Sequence, residues 1–150
     1  KSVLANITLS SLKKYCKLGV IGSKREKQSV EGYVKSLQIK TPGTSQQAQF
    51  LSGGNQQKLI VAKWLDMDSD ILIFDEPTRG IDVGAKFEIY QLMHQLVESG
   101  KSIIMVSSDF EELIGMSDNV VVIAEGKMVG EVAKQEFDKE MLLDLASGSR

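Results

Sequence analysis

The sequence holds a single cysteine, Cys16, so it can close no disulfide within itself. One free thiol suits a reducing compartment and excludes a disulfide-stapled scaffold. No apolar run approaches the roughly 18 residues of a membrane-crossing helix. The first residues lack the charged-then-apolar pattern of a secretory leader. There is no internal repeat, no sustained heptad pattern, and no low-complexity stretch beyond a short Gln-rich cluster at 44–50. The only histidine, His94, falls in mid-helix and is read as structural or exposed rather than catalytic. The chain opens on Lys1 rather than methionine and is read as a processed or excised piece.

What is present is the balance of one ordinary globular domain. Of 150 residues, 42% are hydrophobic and 25% charged, and a core is affordable at this length. The net charge of −2 hides an asymmetry. Residues 1–40 carry nine Lys/Arg against two Glu, and residues 41–150 carry nine against eighteen Asp/Glu. A basic arm is one footprint of nucleic-acid binding. Here the charges are spread out and no aromatic series accompanies them, so they read as a solvated helical face.

Before residue 52 the text is helical. Val3, Ile7, Leu9, Leu12, Tyr15 and Cys16 recur at helical spacing. A break follows at 19–22, and a second helix is predicted over 24–37, ended by Thr41-Pro42-Gly43. From Ser52 helices and strands alternate. A helix is predicted over 53–66 with Ile60, Val61, Trp64 and Leu65 inward, then a strand at 71–74 buried on both faces. A helix over 83–99 follows, with Ile89, Tyr90, Met93, Leu96 and Val97 inward. Strands at 102–106 and 119–124 flank a short helix at 109–116. Gly126-Lys127 is predicted as a hairpin turn, and a last helix runs over 134–146. The alternation argues for an α/β fold with a mostly parallel sheet.

Three short motifs carry chemistry. In Ile71–Glu76 two carboxylates stand at the C-terminal end of a strand, where open α/β sheets bind ligands. Asp75 is placed to hold Mg²⁺ and Glu76 to orient or deprotonate a water; alone, the pair reads equally as two solvated acids. In Leu51–Gln57 two glycines admit close backbone approach, and Ser52 precedes a helix whose N-terminal dipole suits a phosphate. Taken alone, this is the better match to an ordinary capped helix. In Pro77–Asp82, Asp82 is a cap for the next helix or a contact, and Arg79 faces phosphate or another chain.

In this order the three motifs resemble those of the ABC ATPases along most of the chain. LSGGNQQ looks like the signature motif, ILIFDEP like the Walker B strand with its catalytic glutamate, RGID like the D-loop, and SIIMVSSD like the strand leading to the switch. The strings GGNQQK and DEPTRGIDVGAK are similar to the second ATPase domain of the duplicated subunits that power ribose- and galactose-type importers. The resemblance implies that the chain is the C-terminal part of that domain, with 1–66 its helical and signature region and 67–150 its Walker B, D-loop and switch half. It implies two such domains facing each other with ATP between them. Ser52, Gly53, Gly54 and Gln56 would then serve the ATP of the opposite domain. Asp75, with Mg²⁺, and Glu76 would serve the ATP on their own side, and Asp82 and Ser108 would also line the nucleotide. The implied partners are a transmembrane permease and, indirectly, a periplasmic sugar-binding protein, with no nucleic acid. The implied location is the cytoplasmic face of the bacterial inner membrane.

Two departures qualify that. No P-loop, G-x-x-x-x-G-K-[ST], occurs. Gly100-Lys101-Ser102 mimics its end, but Gln95 stands where the first glycine belongs, and a helix precedes and a strand follows. By the resemblance the P-loop and its central strand lie upstream of Lys1, so the expected fold is an incomplete sheet with a C-terminal hairpin. The chain alone should bind ATP weakly and should rearrange, swap strands or form a homo-oligomer to cover the open edges. The second departure is Ser108, which stands where the switch histidine is expected and cannot become a cation near neutral pH. That supports a non-hydrolytic docking half as a rival reading. A DNA-repair ABC ATPase is a further rival, disfavoured by the lack of heptads.

Overall fold

A computed structural model describes residues 1–148. The chain divides into two compact units: residues 1–73 with 77–104, and residues 74–76 with 105–150.

The first unit is mostly helical. Ser2 caps α1 (Val3–Thr8), its hydroxyl accepting from the Ala5 amide at 3.2 Å. The helical spacing of 3–16 breaks at Leu9, and α2 (Leu12–Tyr15) follows only after the Ser10-Ser11 turn. The Ser11 amide donates to the Thr8 carbonyl and closes the turn between the two helices, while the Ser11 hydroxyl goes to Asp66. The expected break at 19–22 is a small hairpin of β1 (Cys16–Lys17) and β2 (Val20–Ile21). Helix α3 (Ser23–Ser36) ends before the Thr41-Pro42-Gly43 turn that the sequence suggested. Gln38 takes the left-handed conformation (φ 51°), Ile39 N–H donates to the Val34 carbonyl and Gln38 N–H to that of Lys35. This is the Schellman ending, made here without glycine.

Helix α4 (Gly53–Asp66) has the expected bounds but a different inward face. Asn55, Lys58, Leu59, Ala62 and Asp66 are buried at i, i+3/i+4 spacing, together with Val61, whereas Ile60 and Trp64 are exposed. Helix α5 (Val83–Glu98) buries Ile89, Leu92, Met93 and Leu96, and Val97 points outward. Helix α1 packs on α3 and α4, and α4 packs on α5.

Strands β3 (Ile71–Asp75) and β4 (Ser102–Val106) form a two-stranded sheet. Ser102 N–H donates to the Asp70 carbonyl at one end and Glu76 N–H to that of Val106 at the other, so the strands run in the same direction. The expectation that β3 is buried on both faces is corrected. Leu72 and Phe74 are buried, while Ile71 is 61% and Ile73 70% exposed. The alternation arises because one face lies against the core and nothing among the described residues covers the other.

In the second unit Asp109 caps α6 (Phe110–Met116), accepting from the Glu111 and Glu112 amides. Strands β5 (Asn119–Ala124) and β6 (Lys127–Ala133) form an antiparallel hairpin with an irregularity between Val122 and Ile123. Its turn is Glu125-Gly126, one residue earlier than expected. Both residues have positive φ, as a two-residue hairpin turn requires. The final helix α7 (Lys139–Ser147) starts later than expected, because Asp138 caps it and 134–136 form a 3₁₀ turn instead. Val120, Val122, Val132 and Leu142 make this unit's core, with Phe110, Leu113 and Phe137 packed against them.

Candidate functional site

The residues singled out in the sequence fall into two groups, one in each unit. In the first unit Ser52 occupies the N-cap position of α4 with extended backbone, but its hydroxyl caps no backbone amide. It accepts instead from Asn55 Nδ2 at 2.8 Å. Asn55 Oδ1 accepts from the Lys40 amide at 2.7 Å, and Gln56 Nε2 donates to the Leu51 carbonyl at 2.8 Å. The signature turn is thus braced by side chains of its own helix, with Ser52 and Gly53 left at the surface.

Gly54 is buried, and its lack of a side chain has a local cause. A Cβ placed on it would lie 2.9 Å from the Ala85 Cβ, and one on Gly53 would lie 3.2 Å from Ile81 Cγ2. The glycines therefore let the signature helix close on the segment that carries Asp82. Asp82 is exposed and caps α5, its Oδ1 accepting from the Ala85 amide at 2.9 Å. One helical turn further on, buried Lys58 donates to Glu88 Oε2 at 2.8 Å, and Lys40 adds a longer pair at 3.7 Å. The Lys58 hydrogen bond, its charge and that of Lys40 hold the Glu88 carboxyl below its ordinary value against a smaller opposing effect of burial. The sequence reading missed Asn55, Lys58, Ala85 and Glu88. A lysine and an asparagine on the same helical face as Leu59 and Ala62 were the available signal.

Asp66, at the far end of α4, is 1% exposed and gathers Ser11, Lys14, Tyr15 and Ser29. Burial pushes its carboxyl up, but hydrogen bonds from Ser11, Tyr15 and Lys14 and the Lys14 charge outweigh this and hold it below the usual range. Burial and the same Asp66 contact push the Tyr15 hydroxyl up to about 12. Gly100 (φ 90°) ends α5, and Lys101 pairs with Asp70 at 3.2 Å and Asp68 at 3.8 Å. Lys101 is thus engaged with acids between a helix and a strand, which is not the setting of a phosphate loop. His94 is exposed on α5.

In the second unit Asp75 is exposed at the end of β3 and Glu76 is half-buried beside it. Glu76 has φ 46°, a left-handed conformation that costs a non-glycine residue on the order of 1 kcal/mol. Its amide donates to the Val106 carbonyl at 2.8 Å, and its Oε1 accepts from the Ser108 amide at 3.1 Å. The switch position therefore touches Glu76 through its backbone. Ser107 donates to Glu112 Oε2 at 2.5 Å and accepts from the Asp109 amide at 3.0 Å. Glu112 Oε1 is buried and has no hydrogen-bond partner among the described residues. Among the described residues no group of three or more His, Cys, Asp or Glu side chains gathers as a metal cage. A lone exposed carboxylate such as Asp75 fits an ion like Mg²⁺, which arrives with water and phosphate oxygens as most of its ligands.

The ABC transporter family model matches residues 2–79, and the chain belongs to that family. A ribose import ATP-binding protein of Clostridium perfringens is 51% identical over 98% of this chain and 30% of its own length. A xylose import ATP-binding protein of Thermoanaerobacter pseudethanolicus is 49% identical over 99% of this chain and 29% of its own. The chain thus spans about 30% of the length of these curated relatives. The matches do not bear out its placement in their C-terminal part, and that expectation is corrected to the coarser one of a stretch of such a subunit. Among solved structures, an ATP-binding cassette bound to ADP and Pi superposes with a TM-score of 0.73 at 23% identity, over 91% of this chain and 58% of that one. A metal-chelate type ABC transporter in an inward-facing conformation gives 0.82 at 15% identity, over 99% and 59%. These structures establish the ABC cassette fold, α/β with small sheets. No helix of the described residues is long and apolar enough to cross a membrane.

Proposed function

We propose that this chain is part of the ATP-hydrolysing subunit of a sugar importer, one nucleotide-binding domain divided near residue 66 into a signature region and a Walker B, D-loop and switch half. The import functions named for its relatives support this, and the observation that carries it is the setting of Glu76. A carboxylate at the C-terminal end of a strand is held out of the ordinary backbone range, with one oxygen anchored by the Ser108 amide. That setting suits a group that orients or deprotonates an attacking water. Asp75 would hold Mg²⁺, which supplies charge neutralisation on the phosphates when bound. Ser52, Gly53 and Gly54 would meet the γ-phosphate of ATP carried by a second nucleotide-binding domain, with Gln56 also serving that nucleotide and Asp82 along that seam. Hydrolysis would drive a transmembrane permease fed by a periplasmic sugar-binding protein, from the cytoplasmic face of the inner membrane.

These 150 residues contain no phosphate loop, so its grip and the strand that carries it would come from elsewhere in the subunit. Among the described residues β3 pairs only with β4, which leaves it a free edge where a strand from elsewhere in the subunit would pair. Phosphate contacts by amides and a lysine contribute roughly 1.5–3 kcal/mol each. The test is calorimetry with Mg-ATP on this chain and on a version extended through a phosphate loop. Binding by the extended version alone is expected; tight binding by the 150 residues would overturn the assignment.

Ser108 favours a second reading, a docking half that closes on nucleotide without hydrolysing it, because a serine hydroxyl supplies no positive charge. Transport unchanged by Glu76→Gln in the complete subunit would favour that reading.

A further inference from the structure

We propose that Glu112, acting through Ser107, is a positioning residue for Glu76. The inference rests on the reading of Glu76 as the group that handles the attacking water.

Glu112 is only 3% exposed, although it stands on a short helix whose cap, Asp109, needs no help from it. A carboxylate buried this deeply ordinarily has a cation or several donors around it. Among the described residues Glu112 has one donor, the Ser107 hydroxyl, and its second oxygen is buried without any. One hydrogen bond leaves much of the cost of that burial uncompensated, so stability is a poor account of the residue's presence.

Its one bond does something specific. Ser107 is pinned on both sides, donating to Glu112 Oε2 and accepting from the Asp109 amide. Between those two anchors the chain has only Ser108 to orient, and the amide of Ser108 donates to Glu76 Oε1. Glu76 is in turn held at its own amide by the Val106 carbonyl. The carboxylate of Glu76 is therefore clamped at its backbone by the end of β4 and at its tip by the next turn. The geometry of that turn is set by the Glu112–Ser107 bond. Releasing Ser107 lets the 107–109 turn rotate, and the Ser108 amide leaves Glu76. A displacement of about 1 Å at such a site costs up to about a hundredfold in rate.

The test uses the complete subunit assembled with its permease, with kcat and KM for ATP, and the melting temperature, measured for each variant. Ser107→Ala and Glu112→Leu are expected to lower kcat about tenfold or more with KM for ATP within twofold. The double variant should lose no more than the worse single one, since both break one bond. Glu112→Gln, which keeps an acceptor for Ser107, and Ser107→Thr, which keeps the hydroxyl, should restore most of kcat. Ser107→Ala removes only an oxygen, so it reads the proposal even if Glu112→Leu does not fold. If Glu76→Gln abolishes hydrolysis while Ser107→Ala stays within twofold of the parent, the positioning role is overturned and the Glu76 reading survives. Losses of kcat that follow the melting temperature and are not restored by Glu112→Gln or Ser107→Thr overturn it in favour of a structural role. Full hydrolysis by Glu76→Gln overturns both readings together.

Discussion

Glu76 and Gly54 show two opposite uses of backbone freedom at single residues. Glu76 accepts a left-handed backbone that glycine or asparagine would adopt more easily. Gly54 needs no unusual φ and is glycine because Ala85 leaves no room for a Cβ. A methyl group there gains up to about 1 kcal/mol of helix propensity and loses about 1–3 kcal/mol to overpacking. Gly54→Ala is therefore expected to lower the chain's melting temperature, and Ala85→Gly in the same chain should make the Gly54→Ala step nearly neutral. Additive losses in that double-mutant cycle would show that the two residues do not meet. LSGG and DEP single these positions out in the sequence, and the roles proposed for them start from those motifs. The sequence does not reveal that a signature glycine is also a packing glycine, because Ala85 is distant in the chain and chemically bland.

At the scale of elements, boundaries were easier to read than faces. Helix α4 begins and ends where Gly53 and Asp66 suggest, yet its buried stripe carries Asn55, Lys58 and Asp66. Hydrophobic periodicity favours Ile60 and Trp64, because it cannot see a polar side chain whose partner lies dozens of residues away. Asp66 ties α2, α3 and α4 together through Ser11, Lys14, Tyr15 and Ser29. Removing its carboxylate takes an acceptor from buried Tyr15 and from the half-buried serines and loses the Lys14 pair, so Asp66→Ala should cost about 2 kcal/mol. Tyr15→Phe, which removes one donor and leaves the others, should cost less, about 1 kcal/mol. The pH dependence has two limbs. The depressed Asp66 carboxyl contributes stability that is present above its unfolded value, near 4, and lost as pH falls through its folded one. The raised Tyr15 hydroxyl contributes stability that is complete below its unfolded value, near 10, and lost as pH rises towards about 12. Denaturant titrations across pH should show both limbs in the parent. The alkaline one should be blunted in Tyr15→Phe.

For the whole molecule, the exposed apolar side chains are the feature with solution consequences. Ile71 and Ile73 in the first unit, and Val121, Ile123 and Met128 in the second, lie open on sheet faces. Open sheet faces and edges invite association. The chain should sediment as more than a monomer at tens of micromolar, roughly the range in which such surfaces pair. Ile73→Lys with Ile123→Lys should return it to a monomer without loss of helix signal. Sedimentation of the parent as a monomer at every concentration would count against this reading of the sheets.

The path of the chain between the two units adds a practical limit. It passes from the first to the second at residue 74, returns at 77 and leaves again at 105. The three-residue excursion is Phe74-Asp75-Glu76, the part that carries the candidate metal-holding carboxylate and the candidate catalytic one. A cut after Ile104 keeps the first unit whole but takes Phe74-Asp75-Glu76 with it, so no single cut yields the second unit whole, and a truncation that keeps only the C-terminal half should not behave well. Circular permutation offers no remedy either, since joining the ends and opening the chain elsewhere leaves those crossings in place. Anyone wishing to graft this centre onto another scaffold would have to transplant the entire strand with its neighbours from both sides.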